Sequence, residues 1–240
     1  MSRTLVLDRS SDTPGVALFD GAVPIFSQTW NGARTRAPEC VADLAMAVGD
    51  RGIDLATVTR YVCGLGPGAF SGIRAALSAL QGMALPGRTR LQGIASAAAL
   101  AWAQATREGE RVSVVGDARR DRLWCVTYRV FPAKGTIRLD DGSLPTQTAR
   151  DFTLLPADEL HTAIPPDATL VTTDWERLCG RLQTLPNPAR LITHACFPTA
   201  DALGALACGP EGETLALDEP SPIYLHPAVA TPPPFPAAHP

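Results

Sequence analysis

Gly64-Leu65-Gly66-Pro67-Gly68-Ala69-Phe70-Ser71-Gly72-Ile73-Arg74 is the stretch that most strongly constrains the fold of this chain. It follows a short β-prone run at 61–63 and precedes apolar residues at helical spacing, Ile73, Leu77, Leu80 and Ala84. Glycines permit backbone angles that a Cβ forbids, so the pattern predicts a strand-to-helix turn. Ser71 is placed to cap the helix that follows.

The same turn is a candidate binding element. Free amides at the start of a helix suit an anion. However, the stretch has neither the lysine of a phosphate-binding loop nor the dinucleotide fingerprint. A tight structural turn that binds nothing is therefore an equal alternative. The residues that define the motif are Gly64, Gly66, Pro67, Gly68, Phe70, Ser71, Gly72 and Arg74.

Length and composition describe a globular chain with little overall charge. Its 240 residues are 45% hydrophobic, and a chain of this size buries roughly three quarters of the surface that it exposes when unfolded. With 21 basic and 24 acidic residues, the formal charge is -3. That balance gives no basis for gripping a nucleic-acid backbone unaided.

Neither the cysteines nor the N-terminus indicates export. The six cysteines contain no Cys-x-x-Cys pair, so we interpret them as reduced thiols. The N-terminus lacks a signal-peptide pattern, and no apolar run reaches the roughly 18 residues of a membrane span. We therefore expect a cytoplasmic protein that does not cross a membrane.

The order of patterns predicts an α/β fold with mixed sheets and helices against them. Three short strands come first, at 4–7, 15–19 and 22–30, and strands then alternate with helices. Further strands are predicted at 61–63, 91–94, 111–116, 123–131, 137–139, 170–173 and 191–193, and helices at 38–48, 72–84, from 96, at 176–185 and at 200–207.

We expect two lobes and a tail. The first lobe spans 1–107 and a reduced second lobe spans 108–227, meeting near Glu108. Eight of the 22 prolines fall in the last 21 residues, a composition that cannot sustain a helix or a central strand. Residues 228–240 are accordingly predicted to be a disordered, proline-rich tail.

Five blocks of sequence, in order, resemble one family. Residues 64–74 resemble the Gly-x-Gly-Pro-Gly-Ser-Phe-Thr-Gly-Leu-Arg signature of the bacterial TsaB (YeaZ) family of tRNA threonylcarbamoyladenosine biosynthesis proteins. The other blocks are 5–18, 81–101, 117–128 and the Pro-Ile-Tyr-Leu sequence at 222–225. The resemblance implies two ribonuclease H-like lobes of the actin-like ATPase type, in a glycoprotease-like chain.

Both phosphate loops expected for that superfamily depart from its pattern. The first would lie at Asp8, Arg9, Ser10 and Ser11, where no glycine is present, and the second at 172–175, which also lacks glycine. We therefore expect no independent ATP turnover, because glycines allow the close approach of backbone to phosphate. The simpler interpretation of Asp8 and Ser10 is that they hydrogen-bond a turn.

Other polar residues give weaker signals. The four histidines are scattered, and none has the His-x-x-x-His spacing of the family's catalytic paralog, so no metal site is predicted in this chain. Arg119, Arg120 and Arg122 beside Trp124 suit a phosphate backbone or, more simply, a solvated hairpin tip. At 121–122 the family usually has Gly-Glu, whereas this chain has Asp-Arg.

The helix after the motif has a second face of small residues. Ala75, Ala79 and Gly82 lie nearly opposite its bulky stripe, which suggests a surface where another helix approaches closely. Packing against the predicted helix at 38–48 of the same chain is the alternative. The family resemblance implies dimerisation with the catalytic paralog through such helices. The predicted interface is Ala75, Ala79, Gly82, Val41 and Met46.

The leading hypothesis is a non-catalytic subunit of the machinery that transfers a threonylcarbamoyl group from its adenylate to the N6 of a tRNA adenosine. The resemblance implies a heterodimer with a TsaD-like metal-containing paralog, a small TsaE-like ATPase subunit, and indirect contact with tRNA. ATP and a metal are expected in the complex, and neither in this chain alone. The alternatives are an ATP-dependent small-molecule kinase of the superfamily, a metallopeptidase, and a self-associating scaffold.

Overall fold

A computed structural model describes residues 2–30, 39–185 and 190–226, without the side chains of 39–43. The strands are β1 (Arg3–Asp8), β2 (Gly15–Asp20), β3 (Val23–Thr29), β4 (Val58–Gly64), β5 (Arg90–Ile94), β6 (Glu110–Arg119), β7 (Arg122–Phe131), β8 (Thr136–Leu139), β9 (Thr153–Pro156), β10 (Thr169–Thr172), β11 (Arg190–Leu191) and β12 (Leu217–Asp218). The helices are α1 (Glu39–Gly49), α2 (Phe70–Ala84), α3 (Ser96–Gln104), α4 (Leu160–Ala163), α5 (Trp175–Leu182), α6 (Ala200–Ala207) and α7 (Gly212–Leu215).

The strands form two mixed sheets, which confirms the predicted α/β class. The first sheet has the order β12-β5-β4-β1-β2-β3, with parallel pairing of β1, β4 and β5 and an antiparallel hairpin series at β1, β2 and β3. The second has the order β11-β10-β6-β7-β8, and β9 also pairs with β7. Because a tight turn cannot connect two parallel strands, the parallel pairs require longer crossover connections, which here contain helices.

One apolar core runs through both sheets. It includes Leu5 and Tyr61 from the first sheet and Val112 and Tyr128 from the second, and each of these side chains is at most 2% exposed. Helix α3 lies between them and packs against β6 and β7. A smaller core lies under the second sheet, around Val115, Leu170 and Leu178. The two sheets are therefore joined on the α3 side by continuous packing.

The C-terminal part of the chain returns to the first sheet. Helix α6 packs on β1, β2, β3 and β4, and β12 pairs with β5. A Cβ at Gly204 would lie 2.0 Å from the ring of Phe19, so α6 sits directly on β2. The predicted boundary at 107 and 108 lies between α3 and β6. Residues 200–218, which follow this boundary in the chain, pack on the first sheet through α6 and β12. The division into lobes at 1–107 and 108–227 stays a prediction.

Most predicted elements match within one or two residues, and β4, β6 and α5 differ from the predicted bounds by three residues at one end. Sequence periodicity missed β9, β12, α4 and α7, each of which is only two to four residues long. The predicted tail at 228–240 lies outside the described residues. Within the described part, no helix has both the length and the apolar character that a membrane crossing requires.

Candidate functional site

The glycine turn connects β4 to α2, as predicted, and is held by the start of α3. The Leu65 amide donates to the Ile94 carbonyl at 2.9 Å, and the Ser96 amide donates to the Gly66 carbonyl at 2.8 Å. The Gly66 amide donates to Ser96 Oγ at 3.0 Å. Gly66 has a φ of +88°, which a residue with a Cβ rarely adopts. The turn is therefore fixed against the β5–α3 junction.

Asp8 lies beneath this turn and is fully buried. Its Oδ1 accepts hydrogen bonds from the Ser10 amide at 2.8 Å and from Ser10 Oγ at 2.7 Å. Its Oδ2 accepts from Ser96 Oγ at 2.5 Å. Burial raises the pKa of the Asp8 carboxyl, and the three hydrogen bonds oppose that rise. The turn-stabilising interpretation of Asp8 and Ser10 agrees with this geometry, in which both carboxylate oxygens are occupied.

The glycines of the motif make room for the loop after β1. A Cβ at Gly64 would lie 1.9 Å from Asp8 Oδ2, one at Gly68 would lie 2.0 Å from the Ser10 carbonyl oxygen, and one at Gly72 would lie 2.2 Å from the Arg9 carbonyl oxygen. The Ala69 amide donates to the same Ser10 carbonyl at 2.7 Å. The space that these glycines leave open is therefore filled by the loop after β1 of the same chain. The only sequence signal for this was Gly72, a glycine in the first turn of a helix.

The helix after the turn begins at Phe70, two residues earlier than the predicted cap at Ser71 requires. Ala69 occupies the capping position and makes no side-chain cap bond, so the prediction for Ser71 was wrong. Phe70 instead starts α2 and is 53% exposed. Its ring centroid lies 5.3 Å from that of Tyr224, and the Arg74 guanidinium carbon lies 5.1 Å from its centre. This aromatic pair forms one rim of a cleft.

The cleft has a volume of about 580 Å³ and lies between the ends of the two sheets. On the first-sheet side its walls are 10–12 and the glycine turn at 67–70. On the other side they are 117–119 and Trp124 of the β6–β7 hairpin, together with 173–174, Arg177 and Phe197. Residues 223–226 close one side. The two predicted phosphate loops thus face the same cavity, although neither carries a glycine cradle.

The charged groups of the second-sheet wall are bonded to one another. Asp174 Oδ2 accepts from the Asp117 amide at 3.0 Å, and Asp174 Oδ1 lies 3.3 Å from Arg177. Asp117 Oδ2 lies 3.2 Å from Arg119 and 3.5 Å from Arg177. These carboxylates and guanidinium groups satisfy each other, which leaves the wall close to neutral and poorly suited to capturing a phosphate.

The β6–β7 hairpin tip agrees with the simpler prediction of a solvated turn. Arg119, Arg120 and Asp121 all have positive φ, between +53° and +66°. A left-handed backbone at both central residues is typical of the tightest hairpin turns and favours glycine. A glycine at position 121 would relieve this strain. Trp124 does not join the arginines at the surface, because it is 5% exposed and packs edge-to-face on Phe152 at 5.7 Å.

The predicted interface residues separate into different environments. Met46 is 63% exposed, and an added Cβ at Gly82 would meet no atom within 4 Å. Ala75 is half-buried, whereas Ala79 is buried at 9% exposure in α2, which packs against α1. The assignment of Ala79 to a partner interface stays a prediction, and in this structure its side chain is buried. The side chain of Val41 lies outside the described residues.

No group of three or more metal-ligating side chains lies together among the described residues. The Cys196 thiol contacts the carbonyl of His194 at 3.9 Å, and burial raises the pKa of that thiol. His226 lies in the cleft wall, where its Nε2 is 2.7 Å from the Ala118 carbonyl oxygen. Sequence analysis gave His226 no role.

Comparisons with known proteins agree on one group of relatives. The family model of TsaD, the tRNA N6-adenosine threonylcarbamoyltransferase, matches residues 36–143. The solved structure of YeaZ from Pseudomonas aeruginosa superposes with a TM-score of 0.75 at 27% sequence identity, covering 94% of this chain and all of that one. An uncharacterized protein with similarity to peptidase YeaZ, also from Pseudomonas aeruginosa, gives a TM-score of 0.73 with the same identity and coverage. A search of curated proteins gives no match.

Proposed function

We propose that this chain is a member of the YeaZ (TsaB) family and acts as a non-catalytic subunit in tRNA N6-threonylcarbamoyladenosine synthesis. The observation that carries the proposal is the similarity to YeaZ along almost the whole chain, at a TM-score of 0.75. The TsaD family model adds support, because its match includes the glycine turn and the β6–β7 hairpin. In this role the chain pairs with a TsaD-like protein, which performs the transfer.

The geometry of the loop after β1 supports a non-catalytic role. A kinase of the superfamily needs a carboxylate that can hold magnesium and a backbone that can approach phosphate. Here both oxygens of Asp8 accept hydrogen bonds from serines. The space beside Gly68 and Gly72 is filled by the carbonyls of Ser10 and Arg9. These contacts favour a structural use of the motif over the alternative of a small-molecule kinase.

The exposed face of α1 and α2 is the proposed partner surface. Met46 and Leu85 have large apolar side chains that are 63% and 78% exposed. Ser78 and Gly82, within α2, are also exposed. A glycine inside a helix costs about 1 kcal/mol relative to alanine. Because no described residue of this chain occupies the space beside Gly82, we infer that a partner helix uses it.

The test is the mass of the complex in solution. The purified chain is mixed with the TsaD-like protein of the same organism, and the mass is measured by light scattering. We expect a heterodimer that is lost in the double variant Met46→Arg, Gly82→Arg. Both positions are exposed, so the variant should fold.

Val23→Arg is the matched control for this test. The side chain of Val23 is 66% exposed, a fraction similar to the 63% of Met46, but Val23 lies on the edge strand β3 and outside α1 and α2. The control should retain the heterodimer. If the folded wild-type protein forms no complex, the proposal is contradicted. If the double variant and Val23→Arg lose the complex equally, the interface does not lie on α1 and α2.

The remaining parts of the complex follow from the same proposal. A small TsaE-like ATPase subunit supplies ATP hydrolysis, the TsaD-like partner holds the metal, and tRNA is bound chiefly by the other subunits, since this chain has a net charge of -3. We place the complex in the cytoplasm. Depletion of this chain should lower the threonylcarbamoyladenosine content of tRNA, measured by mass spectrometry of digested tRNA. Unchanged content would contradict the role.

A further inference from the structure

Residues Glu219–His226, which we call the C-terminal strap, run from the edge of the first sheet to the hairpin of the second. The strap starts after β12, which pairs with β5 through Leu217 and Asp218. Glu219 has a φ of +52°, which turns the chain out of the strand. Pro220 and Pro222 follow and fix two further backbone angles. The strap is therefore a directed, stiffened connection.

The strap is anchored to the glycine turn in its middle. The Ile223 amide donates to the Leu65 carbonyl at 3.0 Å, and the Ile223 side chain is buried. The ring of Tyr224 packs on Phe70 at the start of α2. Both contacts belong to the first-sheet side of the cleft.

The end of the strap contacts the other side of the cleft. His226 Nε2 donates to the carbonyl oxygen of Ala118 in β6 at 2.7 Å. Ile223 and His226 both line the cavity, so this path crosses the cleft wall. The sheets share a packed core that includes α3, and the strap connects them a second time along the cleft.

We propose that the C-terminal strap is a latch that holds the two sheets at one angle across the cleft. Proteins that close a cleft around a ligand need a hinge and an open side that can move. Here the two sheets share a packed core, and the cleft between them is tied by the contacts of Ile223, Tyr224 and His226. The latch gives the chain a fixed shape, and it does not depend on the identity of any partner.

Hydrogen–deuterium exchange of the full chain tests the latch. The His226→Ala variant removes the contact to β6, far from the glycine turn in sequence. We expect amide exchange to rise about fivefold, the loss expected for one hydrogen bond, in both 64–72 and 116–124. A rise confined to 116–124 and 222–226 would overturn the proposal, because it would show a local contact only.

Two further variants control for loss of folding. His161→Ala removes a similar contact, with Nδ1 3.0 Å from the Asp158 carbonyl oxygen, but within one short helix segment. Its effect should stay near 158–163. His226→Gln keeps a side-chain N–H donor and should restore wild-type exchange at both sides of the cleft. If His226→Gln behaves like His226→Ala, the hydrogen bond to Ala118 is not the latch contact.

Discussion

At the scale of single residues, the glycines of this chain serve opposite purposes. Gly68 and Gly72 sit against carbonyl oxygens of the loop after β1, whereas Gly82 faces open space. Gly68→Ala and Gly72→Ala should each lower the free energy of unfolding by about 2 kcal/mol or more, because the added methyl must displace backbone. Gly82→Ala should raise it by about 0.5 to 1 kcal/mol. Urea unfolding measures all three, and a stable Gly72→Ala would contradict the packing described.

Asp8 should leave a pH signature on stability. Burial raises its pKa in the folded chain above the ordinary value of 3.8. The folded state then holds the proton more tightly, so the stability of wild type relative to Asp8→Asn should fall as pH rises from 3.8 through the folded pKa, and level off above it. Urea unfolding of both proteins between about pH 3 and 7 measures the difference.

Asp141→Asn is the control with the opposite sign. Hydrogen bonds from Ser143 lower the pKa of the exposed Asp141 carboxyl. Stability of wild type relative to this variant should therefore fall as pH drops through the folded pKa. A pH-independent difference for Asp8→Asn would show that its hydrogen bonds offset its burial completely.

Sequence patterns located these residues but not their contacts. The motif at 64–74 identified the turn, yet its glycines are explained by Arg9 and Ser10, about sixty positions earlier. No local pattern encodes such a pairing. Ser71 was assigned as the cap because a helix start is uncertain by a residue or two, and the backbone places the cap at Ala69.

At the scale of elements, one buried arginine ties the C-terminal helices to the first sheet. Arg60 of β4 donates from Nε to Gln92 Oε1 at 2.6 Å and to the carbonyls of Ala207 and Gly212 at 2.8 and 3.3 Å. It also pairs with Glu213 at 3.3 Å. Arg60→Met should cost about 3 to 5 kcal/mol, because it leaves buried acceptors without donors.

Arg90→Met is the matched comparison for Arg60→Met. Arg90 lies on the neighbouring strand β5 and pairs with Glu213 and Asp218, but it is 45% exposed. Its loss should cost about 1 kcal/mol or less, since exposed ion pairs contribute little. Chemical denaturation of both variants decides the point. Similar costs would mean that Arg60 does not hold α6 and α7 in place.

Periodicity predicted the longer elements and missed those fixed by distant partners. The hairpin series β1 to β3 and the alternation through α3 follow from local apolar spacing. Strand β12 has two residues, and only its pairing with Gln92 and Gly93 makes it a strand. The return of α6 to β2 depends on Gly204 fitting the ring of Phe19, a contact that no local window contains.

At the scale of the whole molecule, the cleft and the helix face indicate different uses. On one wall of the cleft the charged side chains are paired with one another. On the other wall, backbone carbonyls of the same chain fill the space beside the motif glycines, and the strap runs along the cleft. The face of α1 and α2 keeps Met46, Gly82 and Leu85 exposed. We therefore propose that the chain acts through its surface, as a partner, and that the cleft maintains its shape.

The most direct measurement of this claim is reconstituted threonylcarbamoyl transfer to tRNA by the TsaD-like protein and the ATPase subunit. The account predicts that transfer requires this chain, that Met46→Arg with Gly82→Arg abolishes it, and that Val23→Arg supports it at the wild-type level. Full transfer in the absence of this chain, or wild-type transfer with the double variant, would contradict the account.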